Sequence, residues 1–146
     1  RLAARCQVLD QGADDAPETV LDVAHNRDAA IELAAFLSRR PRAARTHAVF
    51  GALVDKPVGD LFAALRNSVD HWHLADIVDA RGQSARALRD QLPLADADAT
   101  LHPSPAAAYR AARAAAKAGD RVVVFGSFHT VGAILAELER DRRSDP

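Results

Sequence analysis

Polar side chains follow two apolar runs of this sequence, at the point where each run ends. They are Asp22, His25, Asn26, Ser127 and His129. Short valine-rich runs predict buried β-strands, and the patterns that follow them predict helix starts. The polar side chains can hydrogen-bond the hydroxyl and carboxylate groups of a ligand, and a helix start offers free N–H groups to an anion. The sequence therefore predicts a ligand site at the carboxyl edge of a sheet.

A third candidate group is the pair Asp55 and Lys56, which follows a strand predicted at Thr46–Gly51. Lysine is rare in this arginine-rich chain and occurs only at positions 56 and 117, so Lys56 stands out. Its ammonium group can contact phosphate as a point charge, and Asp55 can orient Lys56 or meet a ligand itself. The alternative interpretation is a solvated Asp–Lys pair in the turn before Pro57.

The other candidates also have structural interpretations. Asp22 or Asn26 could cap the helix that follows, and asparagine is a preferred cap. His25 could be a loop histidine bonded to the backbone. Ser127 could cap the last helix, a role that the same geometry would serve alongside carboxylate binding.

The elements that must position these residues alternate between strands and helices. The predicted strands are Arg5–Leu9, Thr19–Val23, Thr46–Gly51, His71–Asp76, Ala99–His102 and Arg121–Phe125. The predicted helices are Asn26–Arg39, a helix opened by Pro57 with a stripe from Val58 to Val69, Ala85–Leu92, Ser104–Ala118 and Thr130–Asp141, followed by a frayed charged tail at 140–146. This order predicts an α/β, Rossmann-like fold with a mostly parallel sheet and helices on both faces.

Composition indicates a single globular domain. The chain has 146 residues, is 49% hydrophobic and carries a formal net charge of −1, which argues against nucleic acid as a partner. No apolar run reaches the length of a membrane span, so no membrane partner is expected. The single cysteine, Cys6, is interpreted as a small buried residue and fits a reducing compartment, the cytoplasm. His71 and His73 share one strand face and are interpreted as a surface pair, with no metal site predicted.

The common phosphate-binding motifs do not occur in this sequence. No Gly-x-Gly-x-x-Gly follows a predicted strand, and there is no Gly-x-x-x-x-Gly-Lys-Ser/Thr loop. The chain is therefore not expected to hold a triphosphate by itself. Any ligand must be bound by the loops at the strand ends.

Several segments resemble the folylpolyglutamate and dihydrofolate synthases. Residues 22–26 (Asp-Val-Ala-His-Asn) resemble their Asp-x-Ala-His-Asn segment, and 51–56 their Gly-x-x-x-Asp-Lys stretch. Residues 125–131 (Phe-Gly-Ser-Phe-His-Thr-Val) resemble a segment of the bacterial bifunctional enzymes. Residues 5–7 and 81–85 match weaker family positions. Together the matches occur in family order over essentially the whole chain.

The resemblance implies the C-terminal domain of an ATP-dependent amide ligase related to the Mur ligases. In that family a carboxylate is activated with ATP and Mg²⁺ as an acyl phosphate, and the amine of glutamate displaces phosphate. The family's larger N-terminal ATPase domain carries the phosphate loop, the magnesium ligands and the site for folate or dihydropteroate. This chain alone is therefore expected to be inactive, with that N-terminal domain as its partner.

The resemblance also implies roles for the candidate residues. Nucleotide contacts are implied for Asp22, His25, Asn26, Asp55 and Lys56, and glutamate contacts for Ser127 and His129. Two alternatives are a stand-alone, non-catalytic Rossmann-like binding module and a Mur-type ligase domain that acts on a peptidoglycan precursor. The segment at 125–131 favours the folate branch.

Overall fold

A computed structural model describes residues 5–9 and 16–144, which form one sheet with helices on both faces. The strands are β1 (Gln7–Leu9), β2 (Glu18–Leu21), β3 (Thr46–Phe50), β4 (His71–Ala75), β5 (Ala99–His102) and β6 (Arg121–Phe125). Their order in the sheet is β1-β2-β6-β3-β4-β5. Only the β1–β2 pairing is antiparallel among these strands, so the predicted fold class is confirmed.

The helices that connect the strands begin at the residues that the sequence predicts or within two of them. They are α1 (Arg27–Arg39), α2 (Val58–Leu65), α3 (Ala85–Gln91), α4 (Pro105–Ala115) and α5 (Phe128–Ser144). Polar side chains cap four of them by accepting a hydrogen bond from the N–H three residues ahead; the caps are Asn26, Ser84, Ser104 and Ser127. No helix in the described part of the chain is long and apolar enough to cross a membrane.

Each face of the sheet buries its own apolar layer. Helices α1, α2 and α3 pack on one layer, in which Phe50, Trp72 and Phe125 contact one another with ring centroids 4.8–6.0 Å apart. Helices α4 and α5 pack on the other layer, around Val49 and Val124. Because side chains alternate along a strand, Trp72 faces the first layer and its neighbours in β4 face the second.

Two local predictions are wrong. Strand β2 ends at Leu21, two residues before the predicted end, although backbone hydrogen bonds to the segment after β6 continue as far as Ala24. Helix α5 continues through the predicted frayed tail to Ser144, and Glu137 contributes there by pairing with Arg140 one turn later and with Arg110 of α4. The predicted loop at 11–17 lies mostly outside the described residues, so its conformation is not described.

The predicted surface pair of histidines is wrong for one member. His73 is only 4% exposed, whereas His71 is half-buried. Strands β3 and β5 flank β4, and their own histidines, His47 and His102, lie against His73. A pattern read along one strand cannot show side chains that neighbouring strands supply.

Candidate functional site

The two polar segments named first in the sequence lie side by side. Strand β6 lies between β2 and β3, so the carboxyl ends of all three strands meet at one edge. The backbone N–H of Asp22 donates to the carbonyl of Val124 over 3.0 Å, and the N–H of Gly126 donates to that of Ala24 over 3.1 Å. The predicted ligand edge therefore brings together residues 22–26, 51–56 and 126–130.

Gly126 makes the close approach of these loops possible. Its φ is +122°, a conformation that side chains rarely allow, and a Cβ there would lie 2.2 Å from the carbonyl oxygen of Gly51. Thr130 reaches the same carbonyl, since its hydroxyl donates to Gly51 O over 3.0 Å. The end of β3 is thus fixed against the start of α5.

Asp22 fastens β1 to the candidate site. The side chain is 1% exposed, and its Oδ2 accepts hydrogen bonds from the backbone N of Cys6 at 2.8 Å and from the Cys6 Sγ at 3.3 Å. The second oxygen, Oδ1, has no hydrogen-bond partner among the described residues, and Arg5 Nε lies 3.9 Å away from it. The interpretation of Asp22 as a helix cap is therefore wrong.

Cys6 differs from its predicted state as a fully buried residue. It is partly buried, lies at a φ of +53° and packs against the core under α1–α3. Burial, together with the hydrogen bond to Asp22 and its negative charge, raises the pKa of the Cys6 thiol to about 11. The thiol is consequently protonated at neutral pH and donates to the carboxylate.

His25 and Asn26 lie on the open side of this edge. The His25 Nδ1 lies 2.9 Å from the carbonyl of Val23. Because a carbonyl only accepts, Nδ1 carries a proton, and the Nε2 of a neutral ring is a free acceptor. Asn26 caps α1 through Oδ1, which accepts from Ala29 N over 2.9 Å. The backbone-bonded interpretation of His25 and the cap interpretation of Asn26 are confirmed.

Phe128 lies at the same edge of the sheet, although the sequence analysis did not predict it as a site residue. Its ring is 49% exposed and lies 5.9 Å from the His25 ring, at an interplanar angle of 42°. Residue 128 lies inside the segment 125–131 that resembles the bacterial bifunctional enzymes, and this resemblance could have indicated Phe128 as a site residue. The two tilted rings form a partly open aromatic surface at the carboxyl end of β2 and β6.

Ser127 directs its hydroxyl inward. The side chain is 3% exposed, and its Oγ accepts from Thr130 N over 3.1 Å. The Thr130 hydroxyl is already donated to Gly51, so the Ser127 hydroxyl donates to Thr130 Oγ1 over 3.0 Å. Ser127 is thus the N-cap of α5, as its structural interpretation predicts. His129, by contrast, is exposed, and its side chain makes no hydrogen bond, ion pair or ring contact with the described residues.

Asp55 pairs with Arg81 and not with Lys56. Its Oδ2 lies 2.5 Å from the Arg81 Nη2. Both the expectation that Asp55 orients Lys56 and the alternative of a solvated Asp–Lys pair are therefore wrong. Within residues 5–9 and 16–144, the Lys56 ammonium group has no side-chain partner, which leaves a free cation at this edge.

The segment at 81–83 holds the loop that carries Lys56. The N–H of Val54 donates to Arg81 O over 2.7 Å, and Gln83 Nε2 donates to Leu53 O over 3.0 Å. Leu53 and Gly82 also form a β-bridge, so the two loops pair through their backbones. A Cβ on Gly82 would lie 1.9 Å from the carbonyl oxygen of Ile77 in its own loop, so glycine is needed there. The sequence showed only a weak motif at 81–85, because these residues act through contacts with residues about 30 positions earlier in the chain.

The described residues do not fit a magnesium site. They contain no group of three or more His, Cys, Asp or Glu side chains placed to hold a metal ion. The chemistry available at this edge is therefore that of a free ammonium group, imidazole nitrogens, an amide, helix-start N–H groups and a buried carboxylate.

Comparison with known proteins identifies the family. A family model described as Mur ligase, glutamate ligase domain, matches residues 4–128. The dihydrofolate synthase/folylpolyglutamate synthase of Escherichia coli is 36% identical over 141 residues, which are 97% of this chain and 32% of that protein. The Haemophilus influenzae enzyme of the same name is 35% identical, over 84% of this chain and 29% of that protein. The chain thus spans about a third of the length of the curated relatives it matches.

Solved structures agree with this assignment. The chain is similar to E. coli FolC in complex with DHPP and ADP, with a TM-score of 0.87 and 35% identity over 97% of this chain and 32% of that one. It is also similar to the bifunctional folylpolyglutamate synthase/dihydrofolate synthase of Yersinia pestis complexed with AMPPNP and Mn ion, with a TM-score of 0.84 and 35% identity over 95% and 32%. By its fold, its strand-end segments and these similarities, the chain belongs to the Mur ligase, glutamate ligase domain family.

Proposed function

We propose that this chain is the C-terminal domain of a bifunctional dihydrofolate/folylpolyglutamate synthase, an ATP-dependent ligase that adds glutamate to dihydropteroate or folate through an acyl phosphate. The observation that carries the proposal is the meeting of three matched segments at one sheet edge. Its relatives with ADP or AMPPNP bound support a nucleotide ligand. A cytoplasmic location fits the single free cysteine.

The proposed nucleotide contacts come from the open side of the edge. His25 Nε2 can accept a hydrogen bond from a ribose hydroxyl, and the ring can also pack on the adenine base beside Phe128. Lys56 can place its unpaired charge near phosphate oxygens. Asn26 retains its amide N–H₂ donors after capping α1. Asp55, in the same loop as Lys56, is held by its ion pair with Arg81.

Asp22 is proposed to contribute from beneath this surface. Its unpartnered Oδ1 can accept a ligand hydroxyl, while Oδ2 keeps the Arg5–Cys6 segment in place. A buried oxygen without a partner is unfavourable unless something donates to it. A nucleotide hydroxyl would supply that donor, which gives Asp22 a ligand role in addition to its structural one.

The proposed glutamate contacts lie at the start of α5. The Ser127 hydroxyl is committed to Thr130, so Ser127 acts as a positioning residue for the first turn. The N–H groups of Phe128 and His129 can then hold a carboxylate at the positive end of the helix, and the exposed His129 ring can contact the same ligand. Glutamate would be oriented with its amine toward the acyl phosphate.

The partner domain is proposed to dock on this edge and to carry Mg²⁺, which neutralises phosphate charge during the transfer. Val54 and Val78, in the loops after β3 and β4, and Phe128, at the start of α5, are exposed hydrophobic residues, with exposures of 59%, 89% and 49%. Apolar side chains around a polar site fit a surface that closes against another domain. Such closure excludes water from a hydrolysable intermediate.

Lys56→Gln should raise the KM for ATP about tenfold or more in the enzyme that carries this domain, because a charged hydrogen bond is worth about 1.5–3 kcal/mol. The measurement is folate- and glutamate-dependent phosphate release at varied ATP. Thermal stability should change little, since the Lys56 side chain makes no hydrogen bond or ion pair with a described residue and glutamine keeps most of its aliphatic stem.

The matched control is Arg39→Gln, which removes one positive charge from the exposed end of α1 at the opposite edge. It should leave the KM for ATP unchanged. The 146-residue chain alone serves as the blank, because it has no phosphate loop. Equal KM values for Lys56→Gln and Arg39→Gln would rule out a phosphate contact for Lys56, and turnover by the chain alone would contradict the two-domain proposal.

A further inference from the structure

A second cavity lies at the amino edge of the sheet, away from the carboxyl edge that carries the candidate site. Its volume is about 540 Å³. It is lined by residues that begin or precede β3, β4, β5 and β6, and by the end of α4; these include Arg45, His47, His71, His73, Thr100, Lys117 and Asp120. Nothing in the proposed ligase reaction uses these side chains.

Three imidazole rings form one wall of this cavity. The ring centroids of His71 and His73 lie 4.8 Å apart, and those of His47 and His73 lie 5.5 Å apart. His73 bonds on both sides, with Nε2 3.3 Å from His47 Nδ1 and Nδ1 3.2 Å from His102 Nε2. The rings are tilted against one another by 33–61°, and strand pairing holds them as an uneven aromatic wall.

One polar atom at this wall lacks a partner. His47 is 4% exposed, and its Nε2 makes no hydrogen bond to any described residue. Asp120 Oδ2 is 3.9 Å away, too far for a hydrogen bond. The Asp120 oxygens accept instead from the backbone N of Arg45 at 3.2 Å and of Lys117 at 2.9 Å.

The rim of the cavity carries an excess of positive charge. Arg45 and Lys117 are both exposed, and neither guanidinium nor ammonium group has a partner among the described residues. The charge of Arg45 lowers the pKa of His47 and of His71, in addition to the larger effect of burial. Among the residues that line the cavity, two cations face the single carboxylate of Asp120, whereas Asp70 and Asp98, whose charges also reach His47 and His71, lie outside the lining. With neutral imidazoles, an anion placed between Arg45 and Lys117 would be attracted to them.

We propose that this cavity binds a small aromatic carboxylate. Arg45 and Lys117 would hold the carboxylate, His47 Nε2–H would donate to it, and the ring of the ligand would pack on the imidazole wall. The tautomers are consistent, because His73 Nε2–H can donate to His47 Nδ1 while Thr100 or His102 donates to His73 Nδ1. A cavity of about 540 Å³ is in the usual range for small-molecule sites and larger than a bare ion needs.

The test is a titration of the 146-residue chain with benzoate, followed by backbone amide and imidazole C–H chemical shifts. Formate is the matched probe that has the carboxylate but no ring. Benzoate should shift residues 45–47, 71–73 and 117–120 with a Kd of about 1 mM, and formate should bind about tenfold or more weakly.

Two charge variants separate a built site from general ion attraction. Arg45→Gln should weaken benzoate binding about tenfold. Arg86→Gln removes the same charge from an exposed position of α3, on the other face of the sheet, and should leave the Kd unchanged. The proposal is overturned if benzoate shifts no residue at this edge, if formate binds equally well, or if the two arginine variants weaken binding to the same extent.

Discussion

Replacing Gly126 by alanine is expected to lower the free energy of unfolding by about 4 kcal/mol. Two effects add. A φ of +122° is strained for any residue with a Cβ, at roughly 1–3 kcal/mol. The new Cβ would also lie 2.2 Å from the carbonyl oxygen of Gly51 and 2.9 Å from the ring of Phe50, an overpacking worth about 1–3 kcal/mol. Urea unfolding of the chain at neutral pH measures the sum.

Two other glycines separate these contributions. Gly119 also has a positive φ, +91°, but a Cβ there would meet no atom within 4 Å. Gly119→Ala should therefore show only the backbone strain, about 1–2 kcal/mol. Gly132 lies within α5 with open space around it, and Gly132→Ala should stabilise the domain by about 0.5–1 kcal/mol. Equal losses for Gly126→Ala and Gly119→Ala would show that the Gly51 contact has no energetic importance.

The consequence for function follows from where Gly126 lies. Its close approach to Gly51 is what brings the start of α5 beside the loop that carries Lys56. Any side chain at 126 must push the two loops apart, since both partners are backbone. The proposed glutamate contacts on α5 and the nucleotide contact at Lys56 would then move apart. Activity should therefore fall by more than the loss of folded protein accounts for.

Much of this arrangement could be predicted from local patterns. Strands such as Arg121–Phe125 are short, apolar after their first residue and bounded by turns, and helices such as α1 carry a cap that the sequence displays directly. The rule that parallel strands end at one edge then places residues 22–26 beside 126–130 without knowledge of the strand order. For these physical reasons the fold class and the position of the site at the carboxyl edge of the sheet could be predicted from the sequence.

The side-chain pairings that shape the site could not be predicted in this way. Asp55 meets Arg81, and Asp22 meets Cys6, only because distant segments are brought together by the order of the strands. Periodicity says which face a side chain takes and nothing about its neighbour on the next strand. The same limit hid the burial of His73, whose partners come from β3 and β5.

The histidines at the amino edge make the domain sensitive to acid. Burial lowers the pKa of His47, His71, His73 and His102, and for His73, which also faces the other three, the pKa falls from 6.5 to about 3. The charged groups around this cluster are Arg45, Asp70, Asp98, Lys117 and Asp120. The acidic ones are too few or too distant to offset the loss of hydration.

The free energy of unfolding should therefore fall by about 2 kcal/mol between pH 7 and pH 5 from His73 alone. The unfolded chain binds a proton at His73 below pH 6.5, whereas the folded chain binds it only near pH 3. The stability is thus complete above pH 6.5 and declines as the pH falls toward 3, in the same direction for His47, His71 and His102.

Urea unfolding at a series of pH values measures how the free energy of unfolding depends on pH. His73→Gln removes the largest titrating group and should flatten the curve, while His129→Gln, an exposed position, should leave its shape unchanged. A wild-type domain equally stable at pH 5 and pH 7 would mean that the cluster accepts protons in the folded state, and that water or a counter-charge reaches His73.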